Sequence, residues 1–82
     1  MADHQQKKVI FKIVNSIKDG QNKCKLDDVW KRYMMMNERE TTRAGTNEPL
    51  VTNKDELLKI VEALELDNLV MYAAEDNYVI LM

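Results

Sequence analysis

The sequence predicts a small α+β domain, on three observations. Three stretches repeat apolar residues at helical spacing, a short extended segment lies between the first two, and two β-rich runs, LVMYAA and NYVILM, close the chain. At 82 residues, 45% hydrophobic and 32% charged, the chain has the composition of one ordinary folded domain with one modest core rather than of a disordered tail.

QQKKVIFKIVNSIKDG places Ile10, Ile13, Val14 and Ile17 on one stripe of a first helix, about residues 4–18, with Asp19-Gly20 as its stop. Val9 and Phe11 flank that stripe, so this helix is expected at the centre, touching two other elements. NKCKL, about 23–26, reads as a short strand with Cys24 and Leu26 inward; it is too short to stand without a partner strand. LDDVWKRYMMMN resumes the helical spacing over about 27–37, with Leu26, Val29, Trp30 and Tyr33 in register and Asp27 or Asp28 at the helix start. Met34 and Met36 fall on the shoulders of this stripe and Met35 on the opposite side. The Met run serves as adaptable core filler, while Met35 beside Lys31 and Arg32 also suits a partner surface.

NERETTRAGTNEPL has no apolar period and carries Gly45 and Pro49, so residues 38–52 read as one long loop. TNKDELLKIVEALELDN opens on Thr52 and Asp55 in a capping-box arrangement and buries Leu57, Ile60, Val61 and Leu64, giving a third helix at about 53–66. Asp67-Asn68 can then supply a left-handed turn. The strands at about 69–74 and 77–82 form a hairpin around Glu75 and Asp76. Its second strand, apolar on both faces, is expected between its hairpin partner and the Cys24 strand, with helices covering at least one side.

The resulting order, α-β-α-α-β-β, is that of a winged helix, a helix-turn-helix variant with a β-wing. The stretch VTNKDELLKIVEALELDNLVMYAAEDNYVILM resembles the C-terminal winged-helix domains of the replication ATPases: the minichromosome-maintenance (MCM) helicase subunits and the related origin-recognition and cell-division-cycle initiator proteins. ALELDNLVMY, running directly into a terminal strand, carries the resemblance, with QQKKVIFKIV and LDDVWKRYMMM upstream. It spans nearly the whole chain as a pattern of apolar spacing with few fixed residues. The terminal strand is similar to the MCM branch and the long polar loop to the initiator branch, and both stay open. The resemblance implies a module of a larger replication ATPase, engaged in helicase loading, that contacts DNA in some members and docks proteins in others. It also implies a nuclear protein, or a cytosolic one if the source is not eukaryotic, whose ATPase activity lies in another domain.

Charge is divided between the halves of the chain. Residues 1–43 carry ten Lys/Arg against six Asp/Glu, and residues 44–82 carry two against eight, so the halves stand at +4 and −6. In a helix-turn-helix the second helix of the motif enters the major groove, helped by cations. Here that helix exposes Asp55, Lys59 and Glu62, flanked by Glu56, Glu65 and Lys54, and the wing tip adds Glu75 and Asp76. Two routes follow. The favoured one docks this acidic helix and wing (Asp55, Lys59, Glu62, Glu65, Leu66, Tyr72, Glu75, Asp76) on a basic surface of a replication protein or neighbouring subunit, with Tyr72 or Leu66 as apolar anchor. The alternative is sequence-nonspecific DNA binding through Lys31, Arg32, Arg39, Arg43, Lys54 and Lys59, with Thr41 or Thr42 adding hydrogen bonds to phosphate.

Catalysis by this domain is not expected. The chain has no Gly-rich phosphate loop and no Cys/His or Ser/His/Asp spacing, and Asp27-Asp28 and Asp55-Glu56 read as helix-start charges. His4 and Cys24 are too few for a metal site, and a single cysteine forms no internal disulfide, which suits a reducing compartment. No cofactor is expected, no run is long enough to span a membrane, and the isolated domain is expected to be monomeric.

Overall fold

Residues 3–82 of a computed structural model form α1 (His4–Ile17), β1 (Lys23–Lys25), α2 (Leu26–Met35), α3 (Glu38–Thr41), α4 (Lys54–Leu66), β2 (Val70–Ala73) and β3 (Tyr78–Leu81). Residues 1 and 2, which the sequence reading placed in the same domain, lie outside the described residues. The architecture is α+β, four helices and a three-stranded antiparallel sheet of order β1-β3-β2, and it is compatible with a winged-helix order. As expected, β3 is the central strand, and the predicted third helix is α4.

A full capping box starts α1. Asp3 accepts from the Gln6 N–H at 2.8 Å, and the Gln6 side chain accepts from the Asp3 N–H at 3.1 Å, satisfying two otherwise orphaned donors. The helix buries Gln6, Ile10, Ile13 and Val14 and contacts α2, α4 and the sheet, the central position its wide apolar face predicts. Its exit differs from the expected Asp19-Gly20 stop. The left-handed residue is Asn22 (φ 62°), and Asp19 organises the turn by accepting from the Gln21 and Lys23 N–H groups at 2.7 and 3.2 Å. Asparagine takes the same left-handed role at Asn68 (φ 61°) and Asn77 (φ 57°).

The strand β1 runs straight into α2, so Leu26 is buried at the first helical position rather than in the strand. Met34 does not sit on a buried shoulder: it is 64% exposed, with Met35 at 81%, and of the three only Met36 packs on the core.

The predicted loop 38–52 is not one open connection. Asn37 caps the short helix α3, and the chain then closes on itself through a Thr42–Pro49 bridge, with the Arg43 N–H donating to the Glu48 carbonyl at 2.9 Å. Gly45, at φ 78°, turns the tip, a conformation that disfavours any Cβ. Leu50 and Val51 then enter the core, 0% and 3% exposed. Periodicity cannot reveal such a pair, because two adjacent residues have no period. Their burial contributes about 1.5–3 kcal/mol each, against a backbone ordering cost of about 1–2 kcal/mol per residue. Two side chains therefore hold only their immediate neighbours, and hydrogen bonds hold the rest.

The central one is at Tyr33, 4% exposed. Its hydroxyl donates to the Thr41 carbonyl at 2.9 Å and accepts from the Val51 N–H at 3.0 Å, joining α2, α3 and the returning chain. The entry to α4 also shifts by one residue from the expected Thr52/Asp55 pair. Asn53 is the cap, accepting from the Glu56 N–H at 2.8 Å, while Thr52 donates its hydroxyl to the Glu56 carboxylate at 3.0 Å.

Tyr33→Phe keeps the ring and removes both bonds, leaving the Val51 N–H without its acceptor. The expected loss is about 1–3 kcal/mol in denaturant unfolding, with faster amide exchange at Leu50 and Val51. Unchanged stability would mean that the segment is held by its side chains alone.

Candidate functional site

On α4 the row Asp55, Lys59, Glu62 and Leu66, spaced i, i+4, i+7, i+11, lies opposite the buried Leu57, Ile60, Val61 and Leu64. All four members of the outer row are exposed, and Leu66, at 84%, stands out furthest among the exposed large hydrophobics. The row thus ends in an apolar residue with Glu62 one turn before it and Lys59 between two acids.

The flanking candidates have structural roles. The Glu65 carboxylate accepts from the Tyr72 N–H at 3.1 Å, fastening the end of α4 to β2. Tyr72 packs on the core and donates its hydroxyl to the Asn77 side chain at 2.6 Å, which braces the hairpin. Of the two candidate anchors, Leu66 is therefore the one that projects. Glu75 and Asp76 are exposed in the turn between β2 and β3.

The six candidate DNA-contacting cations are dispersed. Lys31 and Arg32 are exposed on α2 and Arg39 on α3, and none of the three joins an ion pair among the described residues. Arg43 pairs with Asp3, and Lys54 with Asp27 at 2.5 Å. Lys59 belongs to the acidic row. Thr41 and Thr42 donate their hydroxyls to the Asn37 and Glu38 carbonyls at 3.2 and 2.7 Å, the local bonding typical of threonine at a short helix end. Arg39 and Arg43 do share a shallow cavity of about 380 Å³ with Thr42 and the Gly45 turn.

These pairings shift titration. The Gln6 N–H, and then the Arg43 guanidinium, hold the Asp3 carboxyl below its ordinary value, and Arg43 is raised in return. Lys54 holds Asp27 down through a hydrogen bond. Burial, followed by the charges of Asp28 and Asp19, pushes the Cys24 thiol up to about 11, so it is a packed, unreactive thiol at neutral pH. His4 is exposed on the first turn of α1, and among the described residues no three His, Cys, Asp or Glu side chains gather as metal ligands. No helix of the described residues is long and apolar enough to cross a membrane.

A second surface was not legible from motifs. The sheet buries Cys24, Val79 and Val70 against the helices, and Leu69, Met71, Ile80 and Met82 alternate to the other side. Leu69, Met71 and Met82 are 40%, 49% and 68% exposed, and Ile80 and Tyr78 lie outside the set packed on the core. The available signal was the doubly apolar strand Tyr78 to Met82 in a chain with helices enough for only one side of a sheet.

No protein-family model, curated protein or solved structure matches this chain, so the resemblance to replication ATPase domains rests on its residues alone.

Because the folded Asp3 carboxyl titrates below its ordinary 3.8, its contribution to stability is complete above that pH and is lost as pH falls through the lowered value. Asp3→Ala should cost about 0.5–2 kcal/mol at pH 7, chiefly through the lost cap, and should show a shallower stability loss than the parent chain below about pH 4. Parallel acid limbs in denaturant titrations of the two proteins would show that Asp3 is not responsible.

Proposed function

We propose that this chain is a non-catalytic winged-helix module of a DNA-replication initiation or helicase-loading protein, and that it docks a basic surface of a replication partner through α4 and the hairpin turn. The element order and central β3 support the winged-helix reading, with α4 in the position of the groove-entering helix. The replication assignment rests on the sequence resemblance. The observation that carries the docking reading is the outer row of α4, where Asp55, Glu62 and the 84% exposed Leu66 stand where a DNA reader needs cations. An apolar residue inside a charged rim is the usual composition of a protein-docking patch.

Nonspecific DNA contact is the second reading. Its support is that Lys31, Arg32 and Arg39 are exposed and outside the ion pairs of the described residues. Binding there would weaken steeply with salt, since it would consist of counterion release.

One titration of the isotope-labelled chain separates the readings, using short duplex DNA and, separately, a synthetic Lys/Leu amphipathic peptide. Docking predicts peptide-induced amide shifts on α4 and at Glu75 and Asp76 that vanish in Glu62→Lys/Glu75→Lys, with no response to DNA. Shifts confined to residues 31–43 on adding DNA, fading as salt rises, would replace the docking reading with DNA contact.

A further inference from the structure

The outward side of the sheet is an apolar face without a cover among the described residues. Its rows follow from the strand register: Lys23, Ile80 and Met71 lie side by side, as do Lys25, Tyr78 and Ala73. A third row pairs Leu69 with Met82, whose N–H donates to the Leu69 carbonyl at 3.1 Å. The charges within these rows are both positive and both on β1, and the Lys23 ammonium sits 4.9 Å from the Tyr78 ring centroid. The hairpin acids, Glu75 and Asp76, lie beyond one end of the face.

Each sheet edge already has some of its outward backbone groups engaged. Lys23 of β1 exchanges its backbone groups with Asp19, receiving its N–H at 2.9 Å and donating to its carboxylate at 3.2 Å, and the Tyr72 N–H of β2 is taken by Glu65. The uncovered apolar area lies on the face, so a partner that buries it approaches there rather than along an edge. Strands of three to four residues give a face about 13 Å long and about 10 Å across, which matches the width of one helix, about 10–12 Å. It falls far short of the ~800 Å² per side of a stable dimer. A two-fold pair of such faces would also bring the β1 lysines of both copies to one interface.

We propose that this face docks an amphipathic helix of a protein partner, its apolar stripe on Met71, Ile80 and Met82 and its acidic flank along Lys23 and Lys25. The site is separate from the outer row of α4 and opposite in charge.

The test is titration of the full chain, methyl-labelled at Met and Ile, with a synthetic Leu/Glu amphipathic helical peptide and with its Leu/Lys counterpart. The proposal expects saturable shifts at the Met71, Ile80 and Met82 methyls with the Leu/Glu peptide. Binding should fall at least about tenfold in Lys23→Glu/Lys25→Glu and be lost in Met71→Thr/Ile80→Thr, which places strand-favouring, β-branched threonine at both positions. The first variant alters surface charge, Lys25 exposed and Lys23 half-buried against the Tyr78 ring, leaves the apolar face in place, and keeps the test valid if the second fails to fold. Equal engagement of this face by the Leu/Lys peptide, or Leu/Glu-induced shifts that fall only elsewhere or are absent, would overturn it. So would response only to phosphatidylserine vesicles, or a concentration-dependent dimer in sedimentation that Met71→Thr/Ile80→Thr dissolves, since a lipid surface or a second copy would then be the occupant.

Discussion

Leu50 and Val51 pass through the core as irregular chain, and the structure depends on how their backbone is satisfied there. Buried peptide groups without partners cost about 1–3 kcal/mol each, so a segment lacking helix or strand needs partners from side chains. Gln6, itself buried, donates to the Leu50 carbonyl at 2.7 Å, and the Tyr33 hydroxyl receives the Val51 N–H. The Leu50 N–H donates to the Thr41 carbonyl at 2.7 Å. One residue from α1, one from α2 and one from the end of α3 thus meet on two adjacent peptides. Three residues later α4 begins, so its position follows from the same knot. Gln6 also donates to the Glu56 carboxylate at 3.2 Å, extending the tie into the first turn of α4.

The same economy of polar groups bears on function. A basic first half and an acidic second half can be read as two surfaces, one for each kind of partner. Folding changes that reading by pairing across the halves: Lys7 with Asp67 at 2.9 Å, and Lys54 with Asp27. Arg43 is drawn to Asp3 within the basic half. What remains on α4 is a mostly acidic row with a projecting leucine, and on α2 a short exposed basic pair. The sheet adds an apolar face with its own lysines. Folding thus leaves three surfaces of different chemistry on one small domain.

Legibility followed repetition. The stripes of α1, α2 and α4 and the hairpin could be read because each repeats its apolar residues several times, which also gave β3 its central place. Gln6 and Tyr33 as polar hubs, and Leu50 and Val51 as core, could not, since each acts once through a partner distant in sequence. The helix stop at Asp19-Gly20 and the cap at Thr52 were misplaced by one or two residues for a related reason. Several residues in each stretch can turn or cap, and the choice depends on where the following element must go. Of the candidate site, the outer row of α4 was visible because it is the complement of a periodic stripe. The engagement of Glu65, Arg43 and Lys54 was not.

By itself the sequence determined the α+β class, the three long helices, the hairpin and the sign of charge on each segment, because these depend on local spacing and composition. Only the tertiary structure decided which charges remain available, which backbone groups the Tyr33 hydroxyl joins, and that one side of the sheet is left without a cover. Those outcomes depend on distances between residues far apart in the chain, and no local pattern encodes them.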